Sequence, residues 1–283
     1  MNLKIIYYHE PNGICGNLLN VIECLIKRKK KELIYFNFKN LLYSNKFNVW
    51  EKFFFQPFEE YQDLIKKKIE NKDYAIEKFS HVKYKPTWNY TFHNNMKTLH
   101  SKKKIIEQRI LVKKFIKFKP NVLNKLKNYE VKYFNKKTLG VHLRGTDKFS
   151  KKGHDKFINK RHLLTFEKNI KPLIDRKLNN LELKKIFLAT DEKFLFDQIK
   201  KEYNYLLLKQ NSKIISAKKN IGTHFINVYG HEKWKTQLGL EALTDMIFLS
   251  RSNYSLLSQS NLSLCSILLR KDFKFKFIDA HIQ

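Results

Sequence analysis

Glycine is scarce in this sequence. Eight occur in 283 residues, against an average usage of about 7%. Five of them, Gly13, Gly16, Gly140, Gly145 and Gly153, gather after two short apolar runs. A chain this sparing of glycine keeps it where the backbone must bend or be closely approached. Cysteine is scarcer still: Cys15, Cys24 and Cys265 are odd in number and form no CxxC pair, which argues against a disulfide framework or a structural zinc site. No apolar run reaches the roughly 18 residues of a membrane span. Residues 254–269 come closest, but serines and Asn261 interrupt them. No secretory signal precedes the first apolar run. These absences predict a reducing, cytoplasmic setting, with the inner face of the membrane as the nearest lipid.

Acidic residues are also few, 26 Asp+Glu against 57 Lys+Arg, for a formal net charge of +31. Such an excess suits nucleic acid, an anionic membrane surface or an anionic small-molecule substrate. The lysines are spread along the chain among many Asn, Ile and Phe, a pattern that a biased genome composition also produces. No nucleic-acid reader motif accompanies them. Hydrophobic residues at 42% and aromatics at 14% mark a globular chain, long enough for two modest domains.

Residues 4–8 read as a strand, 11–16 as a glycine loop, 18–28 as a helix and 33–38 as a second strand, which is an opening βαβ unit. Gly13 and Gly16 either cradle a phosphate or make a tight turn. Trp50, Phe53 and Phe54 at helical spacing predict core packing, ahead of a lysine-rich helix over 59–70. His81, His93 and His100 lie among aromatics without HxxxH spacing, which suits an acceptor cleft better than a metal. Residues 105–118 predict a helix with Ile106, Ile110, Phe115 and Phe118 as its apolar positions, and 120–126 a shorter one. The expected domain boundary is near 130.

Residues 138–148, Thr-Leu-Gly-Val-His-Leu-Arg-Gly-Thr-Asp-Lys, begin as an apolar strand and end in a charged glycine loop. Open α/β sheets place their ligands at such carboxyl ends. A helix over 162–177 and a strand over 185–189 complete a second βαβ unit, leaving Asp191 and Glu192 at another carboxyl edge before a helix over 194–202. A helix over 234–250 sets Leu238, Ala242, Asp245 and Leu249 on one face, and an acid among apolar positions needs a partner or a ligand. A strand from 254 then runs into the serine-rich loop 258–261 and a helix over 262–269, and a hydroxyl-rich helix start is a ready anion site.

Four segments, residues 140–148, 186–192, 240–250 and 258–261, resemble in order and spacing the superfamily of α1,6-fucosyltransferases and nodulation fucosyltransferases. The resemblance covers roughly residues 136–270; before 130 it is carried loosely by the glycine loop and the Trp50 segment. It implies an α/β, GT-B-like architecture: two Rossmann-type domains facing each other across a cleft, an acceptor-side domain over 1–130 and a sugar-nucleotide domain over 131–283. By motif position, His142 and Asp245 would contact the guanine of GDP-fucose and Arg144 its diphosphate. Asp147 and Lys148 would shape the loop, Asp191 would sit beside the nucleotide, and Ser260 with Asn261 would meet the phosphates. Gly145 stands where the eukaryotic α1,6-enzymes carry a second arginine. Lys151 and Lys152 stand where some relatives carry a glutamate, which leaves His154 and Asp155 as candidate general bases.

The expected activity is therefore an inverting, metal-independent transfer of fucose to a glycan hydroxyl, on a surface polysaccharide or lipopolysaccharide. GDP-fucose is the donor substrate, with no cofactor or bound metal. The expected partners are the sugar nucleotide and the glycan, with peripheral contact to an anionic membrane surface and no nucleic acid. Two alternatives remain open: a GT-B enzyme with another sugar-nucleotide donor, and a basic nucleic-acid-binding protein.

Overall fold

The computed structural model describes residues 1–8, 13–39, 46–79, 99–133, 137–144, 166–208 and 232–278. The chain forms two compact units, residues 1–124 with 230–240 and residues 125–229 with 241–283.

The first unit is built on strands β1 (Asn2–Tyr8), β2 (Glu32–Phe38) and β3 (Ala75–Lys78), with helix α1 (Ile14–Lys27) between the first two. All pairs are parallel and the order is β2-β1-β3. Central β1 buries Leu3, Ile5 and Ile6, as a strand covered on both faces must. Its one lysine ties the sheet together: Lys4 Nζ lies 2.8 Å from Glu32 on β2 and 3.2 Å from Glu77 on β3. Burial alone would lower its pKa, but the hydrogen bonds and charges of the two glutamates outweigh that and raise it.

The outer edge of β2 is closed by two side-chain amides, one answer to the hazard of an open strand edge. Phe36 N–H donates to Gln56 Oε1 at 3.0 Å, and Gln56 Nε2 donates back to the Phe36 carbonyl at 2.8 Å. Asn48 Oδ1 accepts from Phe38 N–H at 3.0 Å and from Trp50 N–H at 3.1 Å, which also caps the short helix α2 (Val49–Phe53). Trp50 and Phe54 stack at 4.4 Å, and Trp50, Phe53 and Phe54 are fully buried. The aromatic segment is core, as its spacing predicts.

Helix α3 (Gln62–Glu70) follows a 3₁₀ turn at Glu59–Tyr61, and helices α4 (Leu99–Phe115) and α5 (Pro120–Tyr133) come after β3. Here the structure corrects the sequence reading. α4 buries Ile105, Val112 and Phe115 and packs against α1, whereas Ile106 is 47% and Ile110 62% exposed. Apolar residues occur all round this segment, so spacing alone permits either stripe.

The second unit contains β4 (Thr138–Leu143), a π-helical turn (Phe166–Ile170) leading into α6 (Lys171–Asn180), β5 (Lys185–Thr190) and α7 (Lys193–Tyr203). It continues with α8 (Glu232–Arg251), β6 (Tyr254–Leu257), α9 (Asn261–Leu269) and β7 (Phe275–Phe277). The sheet is wholly parallel in the order β5-β4-β6-β7. Residues 206–208 pair along the outer side of β5, where Ile186 N–H donates to the Leu206 carbonyl and Leu208 N–H to the Ile186 carbonyl, both at 2.9 Å. Leu139, Val141 and Leu143 pack on one face with Phe166, Ile174 and Ile199.

The alternating residues Gly140 and His142 face the other side, toward Ser252, Ser255 and α9. A Cβ on Gly140 would lie 2.7 Å from Ser252 Oγ and 3.0 Å from both Ser252 Cβ and Ser255 Oγ. The strand has no room for one more carbon. Gly140→Ala is expected to cost about 1–3 kcal/mol, as overpacking a tight core does, and to lower the melting temperature by several degrees. Thermal unfolding with no drop in melting temperature would show that the serines yield freely.

Candidate functional site

In a parallel sheet the strand order reverses where successive connections wind to opposite sides, and the crevice at the carboxyl ends there is the usual ligand site. In the second unit that point lies between β4 and β6. Registration of His142 with Leu257 on one side and Leu143 with Thr190 on the other brings three strand ends level: Arg144 after β4, Asp191 after β5 and Ser258 after β6. The polar groups therefore converge because the strands stop together.

The junction of β4 and β6 is tightly wired. Ser258 N–H donates to the His142 carbonyl at 2.9 Å, and Arg144 N–H donates to Ser258 Oγ at 3.3 Å. Ser263 Oγ donates to the Ser258 carbonyl at 2.5 Å and lies 2.7 Å from His142 Nδ1. A hydroxyl has one proton to give. With that proton on the Ser258 carbonyl, Ser263 must accept from His142 Nδ1–H, so Nε2 is the ring's acceptor. The imidazole is 5% exposed, and its orientation is fixed by a residue 121 positions away.

Ser260 is the N-cap of α9: its Oγ accepts from Ser263 N–H at 3.1 Å. Its oxygen also lies 3.4 Å from Ser263 Oγ, and the backbone N–H groups of Asn261 and Leu262 stand at the positive end of the helix dipole. Arg144 and Asp191 are half-buried. Glu192, beside Asp191, has its carboxyl pushed up by burial and then by the Asp191 charge, against a lowering hydrogen bond from Phe194 N–H. An ordinary acid becomes easier to protonate at this strand end.

Asp245 lies on α8, but the apolar face drawn from spacing is shifted. Of that face Leu249 is buried, whereas Leu238, Ala242 and Asp245 are half-buried and Leu243, Met246 and Ile247 turn inward. Asp245 thus borders the core instead of sitting within it, which lessens its desolvation cost. Lys125 on α5 feels the charges of Glu241 and Asp245; burial nonetheless lowers its pKa. Asp147, Lys148, His154 and Asp155 lie outside the described residues, as do His81 and His93. Among the described residues no three His, Cys, Asp or Glu side chains gather as a metal site, and no helix is long and apolar enough to cross a membrane.

The first unit has an analogous switch point between β1 and β3, where α1 starts after Gly13. Asn17, Asn20 and Glu23 form a polar stripe on α1 that is wholly buried. Neither polar atom of the Asn17 amide has a hydrogen-bond partner among the described residues. A buried amide left so is a feature that calls for a ligand or another cause. Sequence reading missed it because an asparagine after a glycine loop looks like an ordinary first-turn residue, and Ser263 was missed because nothing local marks it.

No protein-family model matches the sequence, and no curated protein matches it. Among solved structures, the fold is similar to NodZ α1,6-fucosyltransferase soaked with GDP-fucose, at 11% identity and TM-score 0.56 over 95% of this chain and 92% of that one. It is similar to fucosyltransferase NodZ from Bradyrhizobium at 13% and 0.53 over 95% and 94%, and to POFUT1 in complex with GDP at 14% and 0.52 over 98% of both. The chain has the GT-B fold of these fucosyltransferases. The resemblance read from four short segments thus extends, as fold, over nearly the whole chain.

The hydrogen-bond wiring makes a direct prediction. Nitrogen-15 NMR of histidine-labelled protein, at a pH where the ring is neutral, should show the His142 proton on Nδ1, and Ser263→Ala should release that tautomer preference. A proton on Nε2 in the unaltered protein would reverse the assignment of donor and acceptor.

Proposed function

We propose that this chain is an inverting, metal-independent fucosyltransferase that moves fucose from GDP-fucose to a hydroxyl of a glycan acceptor, of surface polysaccharide or lipopolysaccharide type. The observation that carries the reading is the β4/β6 switch point, where His142, Arg144 and the start of α9 meet on a fold shared with proteins crystallised with GDP and GDP-fucose. The reaction sets the electrostatic task. Fucosyl transfer passes through an oxocarbenium-like state while charge builds on the departing diphosphate. In this reading the Arg144 guanidinium and the amides of Asn261 and Leu262 take up that charge, the task a divalent cation performs elsewhere.

His142 Nε2, an acceptor, and the Asp245 carboxylate suit the N–H edge of guanine, and Asp191 stands at the next strand end beside the nucleotide. Asp147 and Lys148 belong to the loop after Arg144, and His154 or Asp155 is the base that takes the acceptor's proton. The setting proposed is the cytoplasm at the inner face of the membrane, where the basic surface would meet anionic lipid. Another sugar nucleotide remains the second reading, since the β4/β6 junction supports a diphosphate more directly than a particular base.

A donor screen by thermal shift addresses the base: GDP and GDP-fucose should raise the melting temperature well above UDP or CMP, because a site that leaves buried polar groups unpaired with the wrong base discriminates strongly. Equal shifts with UDP would remove the guanine assignment. Arg144→Lys addresses the diphosphate. Lysine keeps the charge and loses the planar fork, and the loss grows as the leaving group charges, so kcat/KM should fall roughly 30- to 1000-fold, about 2–4 kcal/mol, with little change in melting temperature. Activity within about threefold of the unaltered enzyme would take Arg144 out of the reaction.

A further inference from the structure

The outer face of α4 carries a pattern that the transferase reading leaves unused. Ile106 and Ile110 are 47% and 62% exposed and stand one turn apart, so they lie side by side on the helix surface. Lys102 and Lys103 precede them, Lys113 and Lys114 follow, and all four are exposed, with Glu107 the single acid in the stretch. On a helical projection at about 100° per residue the isoleucines fall in the middle of the exposed sector and the lysines on its flanks. Ile105, Val112 and Phe115 are buried on the opposite side. The four lysines span about 18 Å along the axis, at 1.5 Å per residue, which places cationic groups before and after the apolar pair.

We propose that this face of α4 is a membrane-docking surface that lies flat on an anionic leaflet, with Ile106 and Ile110 entering the headgroup boundary and Lys102, Lys103, Lys113 and Lys114 contacting lipid phosphates. Two isoleucines are too little apolar surface for a stable protein interface, which takes on the order of 800 Å² per partner. They suffice for shallow insertion when basic residues supply the long-range attraction. Each lysine near an anionic surface strengthens binding about fivefold, and the chain's excess of 57 basic over 26 acidic residues adds a field of the same sign. Long lysine stems reach up past the isoleucines to the phosphates. The surface rests on the peripheral contact proposed above and is independent of the donor's identity.

The test is sedimentation of the full chain with vesicles of phosphatidylcholine alone and of phosphatidylcholine with about one-third phosphatidylglycerol, near 0.15 M salt. The unaltered protein should pellet with the anionic vesicles and remain soluble with the neutral ones. Ile106→Asp with Ile110→Asp should weaken binding at least tenfold, and Lys102, Lys103, Lys113 and Lys114→Glu together should abolish it, both with unchanged melting temperature because the side chains are exposed. The control changes the same charge elsewhere: Lys184, Lys193, Lys200 and Lys201→Glu, all exposed on the second unit, should retain most of the binding. Failure of the unaltered protein to bind anionic vesicles, or equal loss in the control, overturns the assignment. So does a dimer by analytical ultracentrifugation that the isoleucine changes dissociate, since the face would then belong to a second copy of the chain.

Discussion

The second unit depends on one buried guanidinium. Arg270 closes α9 and is 3% exposed, yet its donors are well used: Nη1 reaches the Leu249 carbonyl at 2.8 Å and Ser255 Oγ at 2.9 Å, Nη2 the Ser252 carbonyl at 2.9 Å, and Nε the Asp272 carboxylate at 2.9 Å. Leu249 and Ser252 stand at the end of α8, where helix carbonyls lack intrahelical partners. The cation satisfies the Ser252 carbonyl and shares the Leu249 carbonyl with the Ser255 hydroxyl, which donates to it at 2.8 Å. Burial would raise the Asp272 carboxyl, but the Lys274 N–H and the Arg270 charge hold it below its ordinary value. Removing the arginine would leave the Ser252 carbonyl without this donor in a buried setting, and an unmade buried hydrogen bond costs more than a made one contributes.

That clamp fixes the geometry further out. Because α8 and β6 are held together by Arg270, Ser252 and Ser255 are driven against β4, and only glycine fits at position 140. Two residues on, the same strand face presents His142 to Ser263, and α9, which bears Ser263, is the helix that Arg270 closes. The site's rigidity therefore comes from apparatus behind it. Sequence reading found Gly140 and His142 because they lie in a recognisable strand, but it passed over Arg270 and Ser263, whose partners are up to 21 and 121 residues distant.

Much of the fold was legible for a physical reason. Parallel strands covered on both faces are continuous apolar runs, and the segments at 138–143, 185–190 and 254–257 read as strands from that feature alone. Strand β3 was not foreseen, because Ala75–Lys78 is a mostly exposed edge with no apolar run to announce it; β7, three residues of alternating Phe and Lys, is nearly as faint. Helix faces were harder than helix positions. In α4 two of the apolar positions read from spacing, Ile106 and Ile110, are exposed while Phe115 is buried, and in α8 Asp245 borders the core instead of entering it. Both segments have apolar residues around more than one side, and only the neighbouring elements decide which side is covered. Asp147 and Lys148 were chosen by motif position, and His154 and Asp155 as the nearest titratable residues to a glutamate that some relatives carry; all four lie outside the described residues.

The serine-rich start of α9 shows how structure redistributes roles that residue types suggest. Three hydroxyls, Ser258, Ser260 and Ser263, sit near the start of α9, and composition alone would assign them to phosphate. Each is already engaged: Ser258 accepts from Arg144 N–H, Ser260 caps Ser263 N–H, and Ser263 links His142 to the Ser258 carbonyl. Their hydrogen bonds hold β4, β6 and α9 in mutual register. Amides fixed in a helix and a guanidinium at a strand end need little reorganisation when charge develops, whereas hydroxyls must rotate. A helix start whose serines are tied into the scaffold holds its backbone amides in fixed directions, which is the preorganisation that stabilising a developing charge requires.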